Sequence, residues 1–316
     1  MSLTLNRRQM LLSQRKNKTL SRLDLVVRKS FLDSIGTDEY EFYRGMYLKM
    51  QYNRTGYKVH TNKLPWVEQF LILDRSFYKK GYLSNYPLVM NENKHLINSS
   101  HRAALCLHHK IDEIPFMVSK QWKEHLEKTG SKTKTYFDYG TKWFSENGFS
   151  ETELKIIQKK KIKLFEELNL FFYFIIWPPA EKFFDSIHKQ IKKDYAVIAC
   201  NKVEIKNLDR LIKDIYLIDN ISDWKLQKKT QSILESTKSR KVMIMKVDLF
   251  QTDFRKKTNF PEVDVSLQAE KIKQVIRNEY KNKINNYFHD IIIHSSDNYE
   301  HVDHIRHILR ENKIET

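Results

Sequence analysis

The sequence predicts an α/β protein built in two parts, and three observations carry that expectation. Beyond residue 150, short apolar runs alternate with stretches of helical periodicity, the pattern of strands joined through packed helices and hence of a mainly parallel sheet. All seven glycines lie at or before Gly148, and three of them (Gly130, Gly140, Gly148) fall in a polar stretch from about 119 to 150, where turns and a connector are expected. At 316 residues the chain is comfortable for two cores. The expected division is a first, α+β domain over 1–120, a connector over 121–150 and an α/β domain over 151–316.

The elements follow in order. From Thr4 to Ile35 the apolar residues fall mostly three or four apart, a helical spacing. A second helix is expected over 38–51 and a third over 67–79, ending at Gly81. Tyr86 to Met90 reads as a short strand, 91–94 as a turn and His95 to Ile97 as a second strand. Ser99 and Ser100 can cap a helix over 101–109, and Ile114 to Val118 reads as a third strand. In the second part, helices are expected over 151–168, 181–192, 208–215, 223–235, 267–284 and 298–310. Strands are expected over 170–176, 195–199, 241–250 and 290–294. Trp177-Pro178-Pro179 reads as a strand-to-helix corner, with proline pre-set for a first helical turn.

Composition excludes several classes. No apolar run approaches the roughly 20 residues that span a bilayer, and the N-terminal stretch lacks the apolar core of a signal peptide, so the cytoplasm is expected. Cys106 and Cys200 lie in apolar segments and read as buried thiols. The net charge of +17, from 56 basic and 39 acidic residues, is mostly scattered lysine and reads first as a solvated surface, with a surface that attracts phosphate-bearing partners as the alternative. The chain has no G-x-x-x-x-G-K-[ST] loop, no G-x-G-x-x-G turn, no G-x-S-x-G elbow and no H-E-x-x-H helix. Nucleotide binding by the usual glycine loops is thereby excluded, with the commonest hydrolase and zinc-protease readings.

The chemistry concentrates at Asn98-Ser99-Ser100-His101-Arg102. A helix beginning there presents unpaired amides and the positive end of its dipole to an anion. Ser99 and Ser100 add hydroxyls, Arg102 can grip a phosphate bidentately, and His101 can donate or move a proton near neutral pH. Glu68, set between Trp66 and Phe70, is the expected acid–base carboxylate, because apolar neighbours raise a carboxyl pKa. Arg54 and Lys63, with Arg44 and Lys58, are expected to neutralise phosphate charge.

Residues 40–118 resemble the ParB/sulfiredoxin-like fold, a family of chromosome-partitioning proteins, sulfiredoxins and free-serine kinases. Its turn, Asp-Gly-x-His-Arg, corresponds to Asn98-Ser99-Ser100-His101-Arg102, followed by Ala103-Ala104-Leu105 and the Ile114-Pro115 strand. Phe70 to Ser76 and Gly81-Tyr82 are similar to segments of ParB-like proteins encoded with cell-surface polysaccharide genes. The resemblance nearest the free-serine-kinase branch implies a phosphotransferase, using Mg²⁺ and a nucleoside triphosphate on a small-molecule or sugar acceptor. The alternative it implies is a ParB-like protein that binds or processes nucleic acid. Asn98 replaces the carboxylate of the family's turn, which also permits a binding or scaffold protein without catalysis.

A second site is expected at His294 and Asp297, at the end of the last strand, since parallel α/β sheets place ligands there. Lys246 and Asp248 occupy the analogous end of another strand, where Asp248 can hold a magnesium ion. His301 and His304 have helical spacing for a metal but lack a clear third ligand, so no metal site is expected.

Overall fold

The structure, a computed structural model, describes residues 3–16, 19–55, 65–81, 86–97, 99–119, 138–250, 253–257, 260–285, 287–288 and 290–314. The chain divides into two compact units, Met1–Leu168 and Asn169–Thr316.

The first unit contains β1 (Leu3–Leu5), α1 (Arg7–Leu12), the two-residue strands β2 (Arg15–Lys16) and β3 (Thr19–Leu20), α2 (Leu23–Asp33), α3 (Tyr40–Thr55), α4 (Trp66–Lys80), β4 (Leu88–Met90), α5 (Ser100–His108), β5 (Ile114–Val118), α6 (Thr141–Glu146) and α7 (Glu151–Glu167). The opening segment is not one helical run. Asn6 caps α1 in a reciprocal box with Gln9, which fixes a helix start after β1, and β1 then pairs with β5. In the three-stranded sheet, β5 is central, antiparallel to β1 and parallel to β4. The β4–α5–β5 segment is therefore a short parallel crossover, and its strand-to-helix turn carries the Ser-Ser-His-Arg residues. His95 to Ile97, expected as a strand, makes a single bridge between Leu96 and Met90.

The connector expectation is corrected where it is described. Tyr139 donates its amide to Ser21 O at 2.7 Å and accepts from Leu23 N at 3.1 Å, so this segment is knitted into the first unit. Residues 120–137 lie outside the described residues. Helix α7 packs on α2, moving the boundary from 151 to 169. Ser150 and Glu153 close a capping box at its start, with Glu153 N to Ser150 Oγ at 3.2 Å and Ser150 N to Glu153 Oε2 at 2.7 Å. Ser150→Ala is expected to cost about 1 kcal/mol, read as a lowered urea midpoint with an unchanged m-value.

The second unit contains β6 (Phe172–Ile176), a 3-10 turn over Pro178–Phe183, α8 (Phe184–Asp194), β7 (Ala196–Glu204), α9 (Leu208–Leu217), α10 (Asp223–Glu235), β8 (Lys241–Asp248), the hairpin β9 (Phe254–Lys257) and β10 (Phe260–Ser266), α11 (Leu267–Tyr280), β11 (Ile293–Ser295) and α12 (Tyr299–Glu311). Its four-stranded sheet has the order β11-β6-β8-β7, and all three pairings are antiparallel. The mainly parallel sheet expected from the alternation is thus corrected. Strands β6 and β7 run in the same direction, as a helical crossover requires, but they are not neighbours. Strand β8 inserts between them running the opposite way, and β11 pairs on the outer edge of β6. This is the split βαβ arrangement, with α8 and α11 as its two crossovers. Strand–helix alternation fixes direction, not neighbourhood, so it cannot separate this topology from a parallel sheet.

Central strand β6 is buried along its length, and Trp177 after it donates to Tyr216 Oη at 3.0 Å. Cys106 is buried, which pushes its thiol up to about 12. Cys200, on edge strand β7, is only half-buried. Among the described residues, no helix is long and apolar enough to cross a membrane.

Candidate functional site

A cavity of about 820 Å³ opens at the start of α5. Ser99, Ser100, His101 and Arg102 line one wall, Gln51 and Arg54 from α3 a second, and Trp66, Gln69, Leu73, Ser76 and Phe77 from α4 a third, with Tyr86 at the rim. The α4 residues recur at three- and four-residue spacing, one face of a helix. Glu68 lies off that face; it is exposed and does not line the cavity. The expected acid–base carboxylate is therefore misplaced, because flanking aromatics in sequence are not neighbours on a helix. Asn98, Lys58 and Lys63 fall outside the described residues. Arg44 pairs with Glu41 on the surface at 3.1 Å.

Ser99 adopts φ 74°, the left-handed region, to turn the chain from strand into helix. Arg102 donates to Ser99 Oγ at 2.5 Å, to Pro87 O at 2.8 Å and to Tyr86 O. Its guanidinium ties the helix start to the approach of β4, rather than standing ready for a phosphate as expected. Ser100 Oγ accepts from Arg22 Nη2 at 2.6 Å.

Behind this wall lies a charge group that the motif does not contain. Arg22 grips Asp24 bidentately at 2.9 and 3.0 Å, and Arg28 Nη1 donates to the same carboxylate at 2.7 Å. Arg22, Asp24 and Arg28 are all 0–1% exposed. Arg28 Nη2 and Arg54 Nη1 both donate to Gln51 Oε1, at 3.1 and 3.2 Å, and Arg54 Nε donates to Tyr139 Oη at 3.1 Å. Three guanidiniums thus surround one carboxylate. Burial works against the Asp24 charge, but the arginines overcome it and hold its pKa well below the usual carboxylate range. Burial, reinforced by the neighbouring arginines, brings Arg28 down to about 10, which leaves it protonated at neutral pH. The group carries a net positive charge against the cavity wall.

The same arginines fix the state of His101. With Gln51 Oε1 accepting from two guanidiniums, Gln51 Nε2 is the donor, 3.0 Å from His101 Nε2 and 3.1 Å from Tyr47 Oη. That nitrogen of His101 is therefore the acceptor and the ring proton sits on Nδ1. Burial first, and then Arg28 and Arg54, push the imidazole well below its ordinary pKa, so it is neutral. Phe70 packs against the ring edge-on at 4.6 Å.

The lining offers guanidinium, amide, hydroxyl and imidazole groups, and among the described residues no carboxylate. It fits a phosphate directly, with charge neutralised by arginine. It does not by itself supply the oxygen ligands of a Mg²⁺ ion.

The expected second site is brought together in part. His294 on β11 is buried, with Nδ1 3.6 Å from Asp219 Oδ2 in the turn after α9. Asp297 accepts from Lys273 at 3.0 Å. Strand β6 stands between β11 and β8, which holds Lys246 and Asp248 apart from this group. Lys246 lies 5.3 Å over the Phe171 ring, and Asp248 accepts from Phe250 N at 2.8 Å. Because β11 is an antiparallel edge strand, the strand-end rule that motivated the expectation does not apply.

Fold and cavity together describe a mixed α/β protein whose first unit holds an arginine-backed cavity at the start of α5. No protein-family model, curated protein or solved structure matches the chain.

Proposed function

We infer that the first unit binds a phosphate-bearing small molecule, a nucleotide or sugar phosphate. The finer reading is that the protein transfers a phosphate-linked group to a small metabolite or sugar in cell-surface polysaccharide biosynthesis. The observation that carries the binding reading is the excess of guanidinium charge, three arginines to one buried carboxylate, against a cavity of nucleotide size. An anion placed there offsets that excess, while the aromatic groups Trp66, Phe77 and Tyr86 suit a base or sugar ring. The resemblance to the ParB/sulfiredoxin-like turn supports the finer reading, as does the left-handed Ser99 at the position where that turn carries glycine. His101, protonated at Nδ1 and neutral, serves as a hydrogen-bond donor toward the ligand. Arg54 is the phosphate contact, and Arg102 positions the turn. The ParB-like alternative, nucleic-acid binding, needs an extended basic track rather than a pocket.

Titration of the full chain with ATP, UTP and inorganic phosphate, and separately with duplex DNA across a salt series, tests this. Binding of a nucleotide is expected, with Arg54→Met weakening it at least about tenfold, near 1.4 kcal/mol, and Glu68→Gln leaving it unchanged. Affinity that survives Arg54→Met, or DNA binding with a steep salt slope and no nucleotide effect, sinks the reading.

A further inference from the structure

We propose that the α5 wall of the first-unit cavity offers its ligand only hydrogens, and so selects a phosphate monoester in its fully deprotonated form. An oxyanion that still carries an O–H, such as inorganic hydrogen phosphate, is held more weakly. The inference rests on the phosphate-binding reading above and adds the form in which the phosphate is taken.

Ser100 carries the argument. It opens α5, lines the cavity and is 8% exposed. Arg22 Nη2 lies 2.6 Å from Ser100 Oγ, and a guanidinium can only donate. The hydroxyl oxygen is therefore the acceptor in that bond, and among the described residues the side chain makes no other. Its hydrogen is left to give. Arg22 is not free to turn away, because Nε and Nη2 hold Asp24 and Nη1 donates to Leu96 O at 2.9 Å.

Two further groups that line the cavity are donors by the same logic. His101 Nε2 faces Gln51 and Tyr47, which leaves the Nδ1 hydrogen without a partner among the described residues. Arg54 commits Nε to Tyr139 Oη and Nη1 to Gln51 Oε1, and among the described residues its Nη2 makes no hydrogen bond. The acceptors nearby are already engaged. Gln51 Oε1 takes Arg28 and Arg54, while Ser99 Oγ and the carbonyls of Tyr86 and Pro87 take Arg102. Asp24 is buried behind the wall, with both oxygens held by Arg22 and one also by Arg28. Gln69 and Ser76, whose side chains can accept, stand on the α4 wall. The anion therefore faces α5, and the organic part of the ligand faces α4. A P–O–H turned to the α5 wall meets no acceptor, which weakens binding by roughly five- to a hundredfold.

The full chain is titrated at pH 8 and constant ionic strength with sulfate, methyl phosphate and inorganic phosphate, each alone and in competition with ATP. All three are then mainly dianions of similar size, and only inorganic phosphate carries a hydrogen. Sulfate and methyl phosphate are expected to bind alike and to displace ATP, with inorganic phosphate at least about fivefold weaker. Ser100→Ala is expected to weaken sulfate and methyl phosphate and to remove most of that preference, because a water replacing the hydroxyl can accept as well as donate. Lower affinity with the preference intact would make Ser100 structural and overturn its assignment. Inorganic phosphate binding as tightly as sulfate overturns the proposal and leaves nucleotide binding standing, as does bound ATP that none of the three anions displaces. Sulfate binding without methyl phosphate overturns it too, since the ester is then excluded. A chain that binds neither ATP nor any of the anions overturns the phosphate reading itself, and this inference with it.

Discussion

Asp24→Ala is expected to cost about 3–5 kcal/mol, the range for removing one partner of a buried ion pair, and so to unfold much of the first unit under mild conditions. Asp24 is fully buried and accepts from both Arg22 and Arg28. Without it, two guanidiniums remain out of water with no counter-charge, and typical domain stabilities of about 5–15 kcal/mol leave little margin for that. Glu41→Ala, which breaks the exposed pair with Arg44, is expected to change stability by less than about 0.5 kcal/mol. The pH dependence has a definite sign. Asp24 has a folded pKa below its unfolded value, so its contribution is complete above the unfolded pKa, near 4. It is lost as pH falls from there toward the lower folded value. Urea unfolding of both proteins between pH 7 and pH 2.5 reads this directly. The difference between wild type and variant should be large at pH 7 and shrink on acidification. A constant small difference would show that the arginines find other partners.

The same triad shows where sequence reading stops. Arg22, Asp24 and Arg28 sit in a run that is otherwise apolar, from Leu20 through Leu23, Leu25, Val26, Val27 and Phe31 to Leu32. Charges at the start of and within a helix with little polar face are a sign of buried pairing, and the i, i+4 spacing of Asp24 and Arg28 names one pair. The helical periodicity alone treats them as surface positions. Ser99 to Arg102 and Arg54 line the cavity; a helix start after a strand is a local feature, although Ser99 makes no side-chain cap bond there, against expectation. The direction of the Arg102 guanidinium was not legible, since its carbonyl partners on Tyr86 and Pro87 depend on how β4 enters the sheet.

Fold elements divide along the same line. Helix α10 over Asp223–Glu235 and strand β5 over Ile114–Val118 agree with the periodicity residue for residue, because their boundaries carry polar or turn residues on both sides. The β9–β10 hairpin was missed: Arg255-Lys256-Lys257 breaks any alternation of apolar and polar residues that marks a half-buried strand. Sheet neighbourhood in the second unit is a tertiary choice, and no local pattern records that β8 enters between β6 and β7. Asp219 is hidden for the same reason. Asp297 and His301 are close in sequence, while Asp219, whose carboxylate comes near them, arrives from more than seventy positions earlier.

Lys229→Met is expected to stabilise the second unit at pH 7 and to flatten its alkaline stability profile. Lys229 is 5% exposed, and its ammonium lies 4.5 Å over the ring of Tyr216. That ring is itself fixed by accepting from Trp177 and donating to Asp290 O. Burial pushes the amine down to about 8, against partial compensation from Asp290 and Asp219. A lysine whose folded pKa lies below its unfolded value penalises folding in full below the folded value. The penalty is relieved as pH rises toward the unfolded value, because the unfolded chain holds the proton longer. At about 1.36 kcal/mol per pKa unit the penalty is roughly 3 kcal/mol, of which the cation–π contact returns about 0.5–2 kcal/mol. Methionine keeps the length and volume of the stem and needs no solvation. Denaturant unfolding at pH 7, 8, 9 and 10 should therefore show wild type gaining on the variant across that window, with the variant ahead by about 1–2 kcal/mol at pH 7. A variant that is weaker at pH 7 and runs parallel to wild type at higher pH would show instead that the buried ammonium is held by its carboxylate neighbours strongly enough to be a net stabilising group.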